Sequence, residues 1–197
     1  MNITSQMVKE LRDKTNAGMM DCKKALAHSE GDMEKAIDFL RQKGLAVAAK
    51  RADRVTSEGT VMPYVHAGGK LGVMVEVGCE TDFVAKTDDF LNFAKDVAMH
   101  IAACNPVALK REEIPADLVA REREIYIQQA IDSGKPQAIA EKMVSGKIDK
   151  FYAEVSLMEQ KFVKNPDITV QDLLNELVAK MGENISVKRF VRYQIGA

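Results

Sequence analysis

Between Leu71 and Glu80 the chain alternates without a break. Leu71, Val73, Val75, Val77 and Cys79 fall on one side, and Gly72, Met74, Glu76, Gly78 and Glu80 on the other. A period of two sends successive side chains to opposite faces of a pleated strand, so this segment has to be a strand with one face buried. "AGGK", just before it, is hairpin-turn chemistry. That turn pairs it with a first strand over Gly59 to His66, in which Pro63 marks an edge position or an irregularity.

The segments on either side follow a helical period. Thr4 is placed to cap a first helix, with Ile3 and Val8 as its hydrophobic staple and Met7, Val8 and Leu11 as its apolar stripe. "TNAG" turns the chain into a second helix, Met19 to Ser29, which "EGD" breaks. Asp32 then caps a third, with Met33, Ala36, Ile37 and Leu40 on its inner face and Gly44 as its stop. Leu45 to Val55 reads as a linking helix. Beyond the hairpin, Asp88 to Cys104 carries Phe90, Ala94, Val97 and Ile101 on one helical face. Further helices are expected over Ala116 to Ser133, Gln137 to Val144 and Lys147 to Val155, the last two separated by Gly146. "SLMEQKFVKNPDI" reads as a loop with two exposed hydrophobes. Thr169 caps another helix, with Ile168 and Leu173 in staple positions, and Ile185 to Ile195 closes the chain as a strand. The sum is an α+β chain. A three-helix module with its linking helix occupies 1–55, and a core over 56–197 packs helices on a small antiparallel sheet of about three strands.

Composition removes several classes of function. Lys+Arg at 28 against Asp+Glu at 29 leaves no basic excess of the kind a phosphate-tracking protein shows. No run approaches the roughly 20 apolar residues of a membrane helix. "MNITSQMVKELRDKT" has charges where a signal peptide has its apolar stretch, so a cytoplasmic chain is expected. Cys22, Cys79 and Cys104 stand far apart and in no metal spacing, as do His28, His66 and His100. "GGK" at Gly68 to Lys70 lacks the rest of a phosphate loop. The carboxylate pairs Asp88/Asp89 and Glu112/Glu113 sit at ordinary helix starts. Neither a catalytic set nor a cofactor motif emerges, and the expectation is a binding protein without cofactor or metal.

Three places remain where residues invite a partner. In "EVGCETDFVAK", Phe83 follows the strand amid Glu80, Asp82 and Lys86. It is either folded back into a core, the commoner fate of a large apolar side chain, or held out for another molecule. Met19 and Met20 cannot both face one small core, and methionine suits an adaptable surface. "KRADR" and "KRFVR" could meet RNA phosphates, with Phe190 and Tyr193 interleaved in the second. By strict alternation, however, Val187, Arg189, Val191 and Tyr193 share one strand face and Lys188, Phe190, Arg192 and Gln194 the other. Long cations covering apolar neighbours explain that strand without RNA.

Taken together, "LRDKTNAGMMDCKKAL" with "EGDMEKAIDFLRQKG", "EVGCETDFVAK", and "ISVKRFVRY" resemble the elongation factor Ts family. "AMHIAA" and "SGKPQAIAEKMVSGKIDKF" extend the likeness along the chain. The resemblance implies that the first module is UBA-like and that the chain is an exchange factor for the GTPase elongation factor Tu. It implies that Thr81, Asp82, Phe83 and Val84 displace the structure supporting that partner's Mg²⁺, that Met19, Met20 and Lys23 contact its GTPase domain, and that His100 lies in a partner-facing segment. It further implies a compact member with one copy of the sheet-bearing core, without the protruding helical hairpin of longer members, acting as a homodimer in a 2:2 complex. Asn16, Gly78 and Lys161 depart from the family's usual residues. Two other readings stand beside this one: an RNA- or ribosome-associated protein using the basic last strand, and a peptide-binding adaptor built on the helical module.

Overall fold

The computed structural model describes residues 3–15, 17–134 and 137–196, so Asn16 lies outside the described residues. They group into two compact units. The first takes in the chain as far as Pro63, together with Met74–Ala98 and Asp172–Val191; the second comprises Tyr64–Val73, Met99–Gln171 and the chain from Arg192 onward.

The first unit opens with three helices, α1 (Ser5–Thr15), α2 (Met19–His28) and α3 (Met33–Arg51). Thr4 caps α1, its Oγ1 accepting the Met7 N–H at 3.3 Å. Asp32 caps α3, accepting the Lys35 N–H at 3.1 Å. Val8, Leu11, Cys22, Ala25, Leu26 and Ala36 form the buried cluster between them, with Ile3, Met33, Ile37 and Leu40 packed around it.

α3 does not stop at Gly44. It runs on to Arg51, absorbing the expected linking helix. A glycine inside a helix costs only about 1 kcal/mol relative to alanine, and Leu45 to Lys50 are mostly good helix formers. Gly44 also lies against α8 (Val170–Met181), where an added Cβ would sit 3.7 Å from that of Ala179, at ordinary contact distance. Gly44→Ala is therefore expected to raise stability by about 0.5–1 kcal/mol, read as a higher midpoint in thermal denaturation. A lower midpoint would show that the helices cannot accept the methyl group.

The sheet is antiparallel, with strand order β1 (Glu58–Val65), β2 (Leu71–Cys79) and β5 (Ile185–Gln194). β1 is an edge strand, which leaves Pro63 without a ladder bond to break. The β1–β2 turn closes with the His66 N–H donating to the Leu71 carbonyl at 2.9 Å, and both Gly68 and Gly69 have positive φ. β2 buries Val73, Val75, Val77 and Cys79, as its alternation requires. Gly59 allows close approach to this strand, because at its φ of 147° a Cβ would stand 2.1 Å from the Val77 carbonyl oxygen.

Along β5, Ile185 and Val187 are buried, whereas Lys188 and Arg189 are both exposed. Arg189 pairs with Glu76 at 2.6 Å, and the Lys188 stem lies where a Cβ on Gly78 would be 3.0 Å away. That contact accounts for Gly78, since a side chain there would press on Lys188 and Thr56. α5 (Asp88–Cys104) buries Phe90, Ala94, Val97 and Ile101 as the sequence predicts.

In the second unit α6 (Ala116–Asp132) and α7 (Gln137–Val155) pair as a helical hairpin. The Lys147 ammonium lies 5.1 Å from the Tyr126 ring centre and donates to Gln129 Oε1 at 2.7 Å. α7 passes through Gly146 without a break; an added Cβ there would meet nothing within 4 Å, and helix formers flank it. The segment after α7 is not a loop. It contains β3 (Lys161–Phe162) and β4 (Asn165–Thr169), paired antiparallel, with Leu157, Met158 and Phe162 buried. The Leu157 and Met158 N–H groups donate to the carbonyls of Ala108 and Leu109 at 2.9 and 3.1 Å, which draws these side chains inward. Among the described residues no helix is long and apolar enough to cross a membrane.

Candidate partner-binding site

β2 ends at Cys79, whose thiol donates to the Thr81 carbonyl at 3.2 Å. Burial, with the Glu183 and Glu58 carboxylates nearby, pushes that thiol up to about 11, so it stays protonated and keeps its donor. Thr81 is still extended. It starts the short helix α4 (Asp82–Ala85), its Oγ1 accepting the Val84 N–H at 3.4 Å. The Ala85 N–H returns to the Thr81 carbonyl at 3.2 Å. Thr87 closes the other end, donating through Oγ1 to the Val84 carbonyl at 2.8 Å and accepting the Phe90 N–H at 3.3 Å.

Within this frame the four residues of "TDFV" divide. Val84 is buried and anchors α4, and Thr81 is its cap. Asp82 and Lys86 form an exposed pair at 2.6 Å, one helical turn apart. The hydrogen bond holds the Asp82 carboxyl below, and the Lys86 ammonium above, its ordinary range. Phe83 stands 80% exposed. An aromatic ring left in water on a capped, anchored turn is not core. A hydrophobic surface of this kind is what a partner's pocket would cover.

Met19 and Met20, at the first turn of α2, are 59% and 63% exposed, so both stand out and neither is needed by the small core. Lys23 is exposed one turn later. His100 is different. It is fully buried, its Nδ1 accepting the Val163 N–H at 3.2 Å. Nε2 therefore carries the proton and donates to Gln160 Oε1 at 2.9 Å. Both ring nitrogens are satisfied inside the second unit, and the ring presents nothing to solvent.

Burial holds the His100 pKa below its ordinary value despite the Gln160 bond. With the folded value depressed, the unfolded chain takes up the proton first. Stability from the neutral ring is thus full above about pH 6.5 and declines as pH falls below it, by at most about 1.4 kcal/mol per pH unit. Urea unfolding midpoints at pH 7.5 and 5.5 should fall more for the wild type than for His100→Gln. Equal falls would place the acid sensitivity elsewhere.

Two acidic residues and one amide, of which the sequence drew notice only to Glu80, and to none as a site residue, complete the frame. Glu80 accepts the Asn184 N–H at 2.6 Å, and that bond, with Arg54 nearby, lowers its carboxyl pKa. The Asn184 side-chain amide donates to the carbonyls of Ala52 and Arg54 at 3.2 and 2.7 Å. Glu183 meets Thr81 with both oxygens, at 3.0 Å to its N–H and 2.7 Å to its hydroxyl. These contacts join positions 102 to 132 residues apart, and no local spacing signals them. Several cations of the basic segments are already engaged: Arg54 with Glu80, Arg189 with Glu76, and Arg192 with the Ala102 carbonyl. Among the described residues no group of three or more His, Cys, Asp or Glu is placed to hold a metal ion.

Comparison with known proteins supplies the class. The family described as Elongation factor TS matches residues 1–197. The elongation factor Ts of Desulfotalea psychrophila is 73% identical over 197 residues, all of both chains. Those of Carboxydothermus hydrogenoformans and Desulfosudis oleivorans are 60% and 61% identical over 194 residues, covering 98% of this chain and 89% and 98% of theirs. These are translation elongation factors. The chain belongs to the elongation factor Ts family.

Proposed function

We propose that the protein is a guanine-nucleotide exchange factor that binds elongation factor Tu carrying GDP and promotes release of the nucleotide, so that GTP can reload. On this reading it makes and breaks no covalent bond and need not touch the nucleotide. It has to bind the nucleotide-free GTPase more tightly than the loaded one, and linkage then lowers GDP affinity by the same factor. Phe83 is the device. A ring buried in a partner pocket contributes roughly 1.5–3 kcal/mol. If that pocket opens only when the partner's Mg²⁺-supporting structure has moved, the whole amount favours the open state.

The observation that carries this reading is the exposure of Phe83, 80%, on a turn fixed at both ends. Asp82 flanks the ring as an acceptor for partner donors, with Thr81 and Val84 holding the turn in place. Met19, Met20 and Lys23 form the second contact, against the GTPase domain, with residues 1–55 acting as the contact module. His100 serves this function from inside, through the packing of its segment. The protein works in the cytoplasm as a homodimer, two copies gripping two GTPases; the exposed Val61, Met74 and Val191 of the first unit are apolar surface such a dimer would cover.

The test is release of fluorescent GDP from elongation factor Tu, chased with unlabelled GDP. Addition of this protein should accelerate it, with only shallow dependence on salt, because few phosphates are neutralised. No acceleration, together with steeply salt-dependent RNA binding, would replace this reading with the RNA-associated one. Binding without acceleration would leave an adaptor.

A further inference from the structure

A four-residue helix makes too few internal bonds to hold itself, since helix formation repays its nucleus only over many residues. Beside the burial of Val84 and the Thr87 bond, α4 is held from the far end of the chain. Glu183, in the turn between α8 and β5, spreads its two carboxylate oxygens over one residue: Oε2 takes the Thr81 N–H and Oε1 its hydroxyl hydrogen. With the hydroxyl hydrogen and the backbone N–H both held by Glu183, Thr81 Oγ1 is fixed where its lone pairs accept the Val84 N–H, which is the cap of α4. One carboxylate therefore sets the backbone of Thr81, its rotamer and the first turn of the helix that bears Phe83. The next residue repeats the device. Asn184 donates its N–H to Glu80 and its side-chain amide to the carbonyls of Ala52 and Arg54, in the segment leaving α3.

We propose that Glu183 is a positioning residue for Phe83, and that Asn184 ties the same turn to the chain leaving the helical module. Neither reaches the partner. They order α4 in the free protein, so that the ring is presented in one direction and little order remains to be imposed on binding. The proposal rests on the exchange-factor reading for its effect on GDP release. Its physical core, the immobilisation of position 83, does not depend on that reading.

Two measurements test it. In the first, GDP release from elongation factor Tu is followed against protein concentration for Glu183→Ala and Glu183→Gln, each alone and combined with Phe83→Ala. Glu183→Ala should lower exchange efficiency about tenfold, the scale of a misplaced positioning contact. Glu183→Gln, which keeps one acceptor oxygen of the same reach, should recover most of the loss. With Phe83→Ala already present, Glu183→Ala should cost almost nothing more, because the ring it aims is gone. In the second, Phe83→Trp gives a single reporter in a chain that has no tryptophan. Its time-resolved anisotropy should lose its slow component when Glu183→Ala is added. Equal losses from Glu183→Ala with and without the Phe83 ring would overturn the proposal, as would an indole at position 83 whose motion ignores Glu183. Should the unaltered protein fail to accelerate release, the exchange-factor reading falls, and the anisotropy alone decides whether Glu183 positions residue 83.

Discussion

Phe83→Ala is expected to cut the acceleration of GDP release by roughly 10- to 150-fold, the range that corresponds to losing 1.5–3 kcal/mol of ring burial in a partner. The same change should leave thermal stability where it was. The ring is 80% exposed, so its removal opens no cavity and strips no core contact. Thr81, Val84 and Thr87, which hold the turn, remain in place. A graded series sharpens the result: Phe83→Leu should keep an intermediate rate, since a smaller apolar side chain fills part of the same pocket. The measurement is release of fluorescent GDP at saturating and sub-saturating protein, with circular dichroism melts on the same samples. If alanine and phenylalanine accelerate release equally while the melts coincide, the ring does no work in exchange. If the variant melts earlier, its rate has to be compared at equal folded fraction before the ring is credited.

The sequence and the structure agree wherever a local rule decides. Alternation over Leu71 to Glu80 specifies a half-buried strand, and the structure buries Val73, Val75 and Val77. Thr4 and Asp32 cap their helices because a side-chain acceptor at that position satisfies an amide that would otherwise lack a partner. Disagreement begins where packing overrides a local preference. Gly44 and Gly146 read as helix stops, but a single glycine costs too little to break a helix whose neighbours favour it. The segment that holds Leu157, Met158 and Phe162 reads as a loop until the chain is seen to pair with the carbonyls of Ala108 and Leu109. The pairing of Arg189 with Glu76 across the sheet is likewise invisible to a period-two reading, which names a face but not a partner.

The candidate site was legible only in part. That one of Met19 and Met20 is exposed follows from the size of the core, which cannot take two adjacent methionines; that both are exposed is seen only in the structure. Phe83 could not be placed from its own surroundings, because a large apolar residue is more often buried; the resemblance, not the residues, pointed it outward. His100 lies in a segment expected to face a partner, yet its ring is enclosed by Gln160 and Val163. Glu183 and Asn184 left no trace in the pattern, because a carboxylate that caps a threonine a hundred residues away looks like any surface glutamate.

Phe90 is the counterpart of Phe83, one residue type seven positions on with the opposite fate. It is fully buried on the inner face of α5 among the stripe of Ala94 and Val97, and its N–H is held by Thr87. Phe90→Ala should therefore destabilise by about 3–5 kcal/mol, the sum of lost burial and the cavity left behind. For a chain of this length that lowers the melting temperature by roughly 6–20 °C. The loss should be partly recovered by Phe90→Leu, which fills most of the space. Exchange activity should follow a different course from that of Phe83→Ala: well below the variant's melting range, release per folded molecule should fall only modestly, because the partner never meets the Phe90 ring. A large loss of rate in fully folded Phe90→Ala would mean that α5 transmits strain through Thr87 to α4. The cap shared by the two helices, with Thr87 Oγ1 on the Val84 carbonyl on one side and the Phe90 N–H on the other, would then be the route. Thr87→Val loosens α4 by itself, so the two outcomes are separated by combining it with Phe90→Ala. The double variant should lose no more rate than Thr87→Val alone if strain travels through the cap, and the product of the two separate losses if the two phenylalanines act independently.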